Sequence, residues 1–263
     1  MDSGVLLAGE PMTEVLAIVN QKGGVGKTTT AINLAAALAA LEKRVLLVDC
    51  DPQGNATRGL GEQSAAPSLY DVLVGEALAA AATRPTSLSN LSLLPANREL
   101  VGVEVEFVGL DRWEYILGDR LRDVTNSYDY VFFDCPPALG HLTIQALVAA
   151  QRVIAPLQCE YFALEGVSEL VSTVRRVSSN LNPGLRLSGI LLTMYDDRMN
   201  LTRDVEREVR KHFSRETFET VIPRSVRLAE APSHGLSILQ YDIKSRGGEA
   251  YLALAREFLR RSA

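Results

Sequence analysis

Short runs of apolar, often β-branched residues alternate along the chain with stretches whose apolar residues recur every three or four positions. Runs of the first kind are typical of buried strands, and stretches of the second kind are typical of helices that cover a sheet. The pattern predicts strands at residues 14–20, 44–49, 91–96, 128–134, 152–158, 185–195 and 218–223. It predicts helices at residues 29–43, 142–150, 164–180, 202–213 and 247–262, a further helical stretch near 99–124 and a surface excursion at 76–90.

The predicted strands are almost continuously apolar, as expected for strands that are covered on both faces. Such strands, separated by helices, indicate an α/β fold with a mostly parallel sheet and helices on both faces. Hydrophobic residues make up 47% of the 263 residues, which is enough for a sizeable core. No low-complexity linker or internal repeat interrupts the pattern, so we predict a single domain over residues 14–263, preceded by a flexible tail at 1–13.

The cysteines and the apolar segments bear on the cellular compartment. The three cysteines, Cys50, Cys135 and Cys159, are scattered and form no CxxC pair, so neither a disulfide framework nor a zinc site is indicated. A reducing compartment is the simplest interpretation. No run of 18 apolar residues and no signal-peptide pattern is present, and we therefore expect a cytoplasmic protein.

The formal charge of −5 is unevenly distributed along the chain. Residues 1–174 hold 11 Lys and Arg against 21 Asp and Glu, a net of −10, whereas residues 175–263 hold 16 against 11, a net of +5. Such asymmetry is typical of a chain that meets a nucleic acid or a membrane surface through its basic part. Solvated helix faces would give the same count, so charge alone leaves both interpretations open.

A glycine-rich stretch, KGGVGKTT, joins the first predicted strand to the first helix at residues 22–29. The general phosphate-loop pattern GxxxxGK[ST] is not met, because Gln21 stands where its first glycine belongs. Gly23, Gly24 and Gly26 nevertheless allow a tight loop whose backbone N–H groups turn inward, at a helix N-terminus that favours an anion. The flanking strand and helix argue against a chance glycine turn and predict a P-loop NTPase domain.

The residues that end this stretch have the chemistry of a nucleotide site. Lys27 is expected to contact the β- and γ-phosphates of ATP, and the Thr28 hydroxyl is expected to ligate Mg²⁺. The nucleotide-binding residues predicted from the loop itself are Gly23, Gly24, Val25, Gly26, Lys27, Thr28 and Thr29.

Aspartates follow two of the predicted strands at the edge where parallel sheets bind ligands. Asp49 and Asp51 come at the end of the second strand, and Asp134 ends the hydrophobic run YVFF. A carboxylate at the end of the second strand can orient or deprotonate an attacking water, and Asp51, just past the strand, is a candidate for this role. Asp134 has the Walker B arrangement and is predicted to hold Mg²⁺, together with Thr28 and Asp51. Asp49 is assigned a supporting role.

Several longer motifs together resemble the ParA/MinD family of ATPases, whose Walker A motif is deviant, and most closely its chromosomal ParA (Soj) group. Besides KGGVGKTT, the motifs are VLLVDCDPQGNAT at 45–57, YDYVFFDCPPALG at 128–140, EYFALEGVSEL at 160–170, GILLTMYDDR at 189–198 and VIPRSVRLAEAPSHGLSI at 221–238. The resemblance covers nearly the whole chain.

This resemblance gives a reason for the second lysine of the glycine loop. Lys22 is similar to the family's signature lysine, which reaches across a dimer interface to the partner's phosphates. The resemblance thus implies an ATP-dependent homodimer in which Lys22, Lys27 and Asp51 are catalytic. Without the family, the simpler interpretation of Lys22 would be a solvated loop lysine.

The resemblance also assigns residues in the C-terminal half. It implies that Met194, Pro223 and Arg224 hold the adenine, and it aligns Arg198 and Arg227 with positions that bind DNA without sequence preference. Lys244 and Arg246 lie in the same basic half and are added to the predicted DNA-binding surface. Solvated or structural side chains are the alternative for each.

The implied partners are a ParB-type protein that stimulates hydrolysis and non-specific double-stranded DNA, with nucleoid association and no membrane. A MinD-like membrane ATPase is the main alternative, but Tyr251, Leu254, Ala255 and Phe258 in the closing helix are more simply core residues. An iron–sulfur reductase is a third possibility, and it is disfavoured because Cys135 lacks an evident second ligand.

Overall fold

Seven strands form one sheet in the computed structural model, which describes residues 13–63 and 66–262. The order across the sheet is β3-β4-β2-β5-β1-β6-β7, and every pairing is parallel except that of β3 with β4. The strands are β1 Glu14–Ile18, β2 Val45–Asp49, β3 Arg84–Pro85, β4 Leu91–Leu94, β5 Tyr130–Asp134, β6 Arg152–Gln158 and β7 Arg186–Thr193. The predicted mostly parallel α/β sheet is confirmed, whereas the predicted tail lies outside the described residues except for Thr13.

Helices connect the strands and cover both faces of the sheet. The helices are α1 Lys27–Ala40, α2 Asn55–Gly59, α3 Leu69–Val74, α4 Ala79–Ala82, α5 Val103–Glu106, α6 Ile116–Arg120, α7 Arg122–Thr125, α8 His141–Ala149, α9 Ala163–Asn180, α10 Asn200–His212, α11 Val226–Glu230, α12 Ile238–Asp242 and α13 Arg246–Ser262. Three 3₁₀ turns lie at Arg98–Gly102, Trp113–Tyr115 and Ala231–His234.

Alternate residues of the central strand β1 enter two separate cores, because successive side chains of a strand point to opposite faces. Val15 and Ala17 belong to one core, which includes α8 and α9 residues such as Leu147. Leu16 and Ile18 belong to the other core, which is built on α1 and α13. The two cores hold the sheet between helical layers and fix the carboxyl ends of its strands.

Helix α13 closes the second core. Its apolar positions Tyr251, Leu254, Ala255 and Phe258 are all at most 1% exposed, and the Tyr251 hydroxyl lies 3.2 Å from Thr30 Oγ1 of α1. This helix is therefore core-covering, as its spacing predicts. None of the helices in the described ranges combines the length and the apolar character needed to cross a bilayer.

The prediction of a last strand at 218–223 is wrong. This segment runs beside β7 and the residues that follow it. Backbone hydrogen bonds, such as Phe218 N to Ile190 O at 3.0 Å, join the two, but in the described residues they give isolated bridges rather than a continuous ladder. Glu257 of α13 accepts hydrogen bonds from the backbone N–H groups of Glu219 at 2.7 Å and Thr220 at 2.8 Å. The side chain of a distant helix thus binds Thr220 N, which lies between the two N–H groups, of Phe218 and Ile222, that donate to β7, and the ladder is interrupted there.

The structure refines two further predictions in the middle of the chain. The predicted helical stretch near 99–124 is present as short helices and 3₁₀ turns rather than as one continuous helix, and it is interrupted where Gly109 and Arg112 have φ values of 81° and 56°. The stretch at 76–90 is more than a surface excursion, because it supplies α4 and the antiparallel edge strand β3.

Candidate functional site: a nucleotide-binding edge of the sheet

The glycine loop leaves the carboxyl end of β1 and enters α1. Gly24 and Gly26 have φ values of 77° and 91°, a backbone region that side chains disfavour, so glycine is required at both. A Cβ at Gly23 or Gly24 would meet no atom within 4 Å, so the space in front of the loop is open to a ligand. The loop therefore has the shape of an anion cradle at the N-terminus of a 14-residue helix.

Lys27 lies in the first turn of α1 and is only 7% exposed. Its Nζ donates to the Lys22 carbonyl at 3.0 Å, so the side chain folds back along the loop. Burial lowers the pKa of the Lys27 ammonium, and the Asp134 and Asp51 carboxylates oppose this effect. A buried ammonium flanked by carboxylates is well suited to bind a phosphate chain.

Lys22 takes a different direction from Lys27. Its Nζ makes an ion pair with Glu160, which lies just beyond β6 and is 138 residues away in sequence. The Lys22 side chain is 52% exposed, so it stands at the rim of the site rather than within the loop. Exposed ion pairs contribute little to stability, and this one can be exchanged for another anion at small cost.

Three aspartates meet at the carboxyl edge of the sheet. Asp49 of β2 is level with Asp134 of β5, and β5 pairs Asp134 with Ile18 of β1 directly before the glycine loop. All three aspartates are buried, with Asp51 the most exposed at 7%. The structure thus brings together the acids that the sequence places more than 80 residues apart.

Asp49 and Asp51 differ in their hydrogen bonds. Both oxygens of Asp49 are engaged, with Oδ2 accepting from Thr57 N at 2.8 Å and Thr57 Oγ1 at 2.7 Å and Oδ1 from Asp51 N at 3.2 Å. Burial raises the pKa of Asp49 to about 6. Asp51 accepts one bond, from Gln53 N at 2.9 Å. Asp49 therefore anchors the loop, which leaves Asp51 as the carboxylate able to act on a ligand.

Asp134 is fully buried, and neither of its carboxylate oxygens has a hydrogen-bond partner within residues 13–63 and 66–262. Burial, reinforced by the Asp49 carboxylate, raises the pKa of Asp134 well above its usual value. The Thr28 hydroxyl is close enough to oppose this shift, although its geometry falls short of a hydrogen bond. Orphaned buried oxygens beside a hydroxyl fit a divalent cation, which would supply the missing partner.

The described residues contain no group of three or more His, Cys, Asp or Glu side chains arranged to hold a metal. Protein sites bind Mg²⁺ through one or two side chains, while water and phosphate oxygens complete the octahedron. The three cysteines are buried, and burial raises the pKa of the Cys135 thiol next to Asp134.

A cavity of about 220 Å³ adjoins the glycine loop on the side away from the aspartates. Its lining comprises Gly26, Thr29, Thr193, Met194, Ile222, Pro223, Arg224, Ser225, Leu228, Ala229 and Tyr251. It includes Met194, Pro223 and Arg224, the three residues predicted to hold adenine. Their contact with a base stays a prediction, but their placement beside the phosphate cradle is that of a nucleoside pocket.

Sequence reasoning missed Thr193 and Tyr251 as lining residues. Thr193 Oγ1 donates to the Val25 carbonyl at 2.8 Å and so ties β7 to the glycine loop. Tyr251 has the spacing of a core residue, and its packing against α1, where its hydroxyl lies 3.2 Å from Thr30 Oγ1, brings it to the cavity wall. A larger cavity of about 520 Å³ lies at the opposite edge, around Glu14 and Asp129, where parallel sheets do not bind ligands and no glycine loop is present.

The predicted DNA-binding residues lie on loops and helix ends of the C-terminal half. Arg198 is 85% exposed and makes a two-point ion pair with Asp196, with bonds of 2.8 and 2.7 Å. Arg227 is 56% exposed and lies 3.1 Å from Glu230 and 3.8 Å from Asp242. Lys244 and Arg246 are exposed near the start of α13. Phosphates would compete with carboxylates for both of the paired arginines.

Known proteins resemble this chain over nearly its whole length. A family described as an AAA domain matches residues 13–187. A chromosome partitioning protein ParA of Myxococcus xanthus is 52% identical over 249 residues, which are 94% of this chain and 88% of the relative. The sporulation initiation inhibitor protein Soj of Bacillus subtilis is 52% identical over 248 residues, 94% of this chain and 98% of the relative.

A solved structure shares the fold at lower identity. It is a cobyrinic acid a,c-diamide synthase from Mycobacterium smegmatis with bound ADP and magnesium, with a TM-score of 0.84 and 40% identity over 95% of this chain and 96% of that one. The family match spans more than half of the chain, and the partitioning relatives share more of its sequence than this structure does. The chain therefore belongs to the ParA/MinD family of P-loop ATPases, and its relatives include the chromosome-partitioning proteins ParA and Soj.

Proposed function

We propose that this protein is a DNA-partitioning ATPase that works as an ATP-bound sandwich dimer. ATP closes two subunits face to face, the dimer binds DNA without sequence preference, and hydrolysis stimulated by a ParB-type partner releases it. The cargo is a chromosome or a plasmid. The ATPase chemistry is that of the family, and the names of the ParA and Soj relatives support the partitioning role.

The position of Lys22 carries the proposal. Lys27 is buried in its own loop, whereas the Lys22 side chain stands half-exposed at the rim, where its ammonium pairs with Glu160. A lysine that serves its own phosphates would not need a carboxylate on a neighbouring loop. A lysine at the rim can instead exchange Glu160 for the phosphates of a facing subunit, where it does the work of an arginine finger.

Each of the other site residues has a defined task in this proposal. Lys27 and the backbone N–H groups of residues 23–29 bind the phosphates, and Asp51 orients the attacking water. Thr28 and Asp134, with Asp51 nearby, would hold Mg²⁺, which supplies charge neutralisation when bound. Met194, Pro223 and Arg224 hold the base in the adjoining cavity. Asp49 accepts hydrogen bonds from Asp51 N and from Thr57, and it thereby holds the loop that carries Asp51.

The MinD-like alternative would require a surface that binds lipid. The apolar positions of α13 are buried against α1 and are not available for that purpose. The exposed basic residues of the C-terminal half instead favour a phosphate-rich polymer, because neutralising its charge releases counterions. We infer that the nucleoid, rather than a membrane, is the surface on which the protein works.

Reversing the charge of Arg227 is expected to separate DNA binding from ATP binding. Arg227→Glu adds repulsion in both subunits of the dimer and should weaken DNA binding by about tenfold or more, with a shallower salt dependence. ATP affinity should not change. Filter binding of DNA at several salt concentrations, with ATP, measures the affinity for DNA and its dependence on salt.

Arg122→Glu is the matched control, because Arg122 is also an exposed helical arginine with an acid three residues away. It lies on α7 and should bind DNA like the wild type. Equal DNA binding by both variants would remove Arg227 from the DNA surface, and salt-independent binding by the wild type would contradict the electrostatic basis altogether.

A further inference from the structure

Residues 98–110 carry two apolar stripes, although a surface segment needs only one. Leu100, Val103 and Phe107 are at most 3% exposed and form the stripe that faces the core. Val101, Val105 and Val108 follow the same helical spacing on the outside, with 57%, 75% and 67% exposure, and Leu110 adds 46%. We call these four residues the valine face. Contiguous exposed apolar residues of this kind mark interaction sites more often than scattered ones do.

The charges around the valine face are mostly negative. The segment 98–114 contains five acids and two arginines, a formal net charge of −3. Tyr70 donates its hydroxyl to Glu106 at 3.2 Å, and Asn97 donates to Glu99 at 3.0 Å, so these carboxylates are held at the surface by neutral donors that leave their charge in place. The face therefore combines apolar contact area with a negative field.

This combination discriminates between possible occupants. DNA and anionic lipids would be repelled by the negative field. A second copy docked through the same face would set acid against acid, since a two-fold contact is self-complementary. A cationic amphipathic segment satisfies both the apolar stripe and the field, in the manner of a helix or strand laid along an apolar groove.

The valine face is connected to the nucleotide site through Glu104. Glu104 lies between Val103 and Val105, and its Oε2 accepts from His141 N at 3.1 Å and lies 2.8 Å from His141 Nδ1. A Cβ on Gly140 would come within 2.3 Å of Glu104 Oε1, so the backbone passes directly against this carboxylate. Residues 135–140 lead from Asp134 to this contact. A displacement of α5 would therefore move the loop that follows Asp134.

We propose that the valine face is the docking surface for a cationic, apolar segment of the stimulating partner. When this segment docks, Glu104 shifts residues 135–140 through its contacts with His141 and Gly140. This rests on the proposed function, because it assumes a partner that stimulates hydrolysis. Glu104 is a positioning residue, since it acts through His141 and Gly140 and is not part of the nucleotide site.

The test uses the full chain with ATP, Mg²⁺ and DNA, and a labelled peptide that copies the N-terminal segment of the ParB-type protein from the same organism. Val105→Asp should weaken peptide binding by about tenfold or more and remove stimulation, while basal hydrolysis is unchanged. Leu78→Asp is the matched control, because Leu78 is 71% exposed but lies outside the face. A peptide whose Lys and Arg are replaced by Glu should not bind the wild type.

Glu104→Ala separates docking from transmission. It removes one of the five acids near the face, so peptide binding should weaken by no more than about threefold, whereas stimulation should fall by at least about tenfold, a split that loss of folding would not produce. Wild-type binding and stimulation in Val105→Asp would overturn the docking surface. So would a Val105→Asp variant whose only change is reduced self-association, because the face would then be an interface between copies.

The same samples distinguish this inference from the proposed function. If the wild type shows no ATP-dependent DNA binding, the partitioning function itself fails. If the wild type binds DNA and is stimulated, but Val105→Asp responds equally, only the docking surface fails.

Discussion

Lys22→Ala is expected to abolish ATP-driven dimerisation and to lower partner-stimulated hydrolysis by about 10³-fold or more, the range of an arginine finger. Lys27 already occupies the phosphate loop of its own subunit, so Lys22 is the lysine of this stretch that is free to serve the facing subunit. Its present partner, Glu160, is an exposed carboxylate that binds it weakly. The variant should still bind ATP, because the cradle and Lys27 are intact. Size-exclusion chromatography with light scattering, with a slowly hydrolysed ATP analogue, measures the dimer.

Lys43→Ala serves as the control for this variant. Lys43 lies at the opposite edge of the sheet, beside Asp129, so its removal takes away the same charge without touching the nucleotide site. It should dimerise and hydrolyse ATP like the wild type. A Lys22→Ala protein that dimerises with ATP as the wild type does would show that Lys22 is only a solvated loop lysine.

Asp51→Ala is expected to trap an ATP-bound dimer that still binds DNA, while hydrolysis falls by about 10²- to 10⁴-fold. Asp51 is the acid whose removal takes away water activation without dismantling the loop, because Asp49 and Thr57 continue to hold residues 50–57. The lost bond to Gln53 N costs about 1 kcal/mol of folding stability, which leaves the protein folded. Single-turnover hydrolysis and DNA retention over time measure the two effects.

The control for Asp51 is Asp119→Ala, which removes an exposed carboxylate on α6 that pairs with Arg122. This variant should hydrolyse ATP and release DNA as the wild type does. Wild-type hydrolysis in Asp51→Ala would mean that another group activates the water, and the assignment of the catalytic carboxylate would then be wrong.

The features that sequence patterns predict well here are those with local causes. Gly24 and Gly26 are required by the positive φ of one tight loop, and Asp49 and Asp134 each end a continuous apolar strand. Because parallel strands place their carboxyl ends at one edge, these two acids come together without further information. The sheet and its phosphate edge are therefore predictable from local runs of residues.

The features that sequence patterns do not predict depend on contacts between distant segments. The strand expected at 218–223 is lost because Glu257 captures two of its N–H groups, and the pairing of Lys22 with Glu160 spans 138 residues. The stretch near 99–124 is helical as predicted, but its division into short segments follows from the positive φ values of Gly109 and Arg112, which the apolar pattern does not reveal. Tertiary contacts decide such cases over local propensity.

The central claim is that each subunit's Lys22 works on the partner's ATP, and mixing two inactive variants tests it most directly. Lys22→Ala keeps an intact phosphate loop, while Lys27→Ala keeps the rim lysine but loses its own nucleotide. If Lys22 acts in trans, mixed dimers hold one complete site, and hydrolysis should recover to as much as about a quarter of the wild-type rate. If the mixture is no more active than the two variants measured separately, Lys22 does not reach across the interface, and the sandwich-dimer account is contradicted.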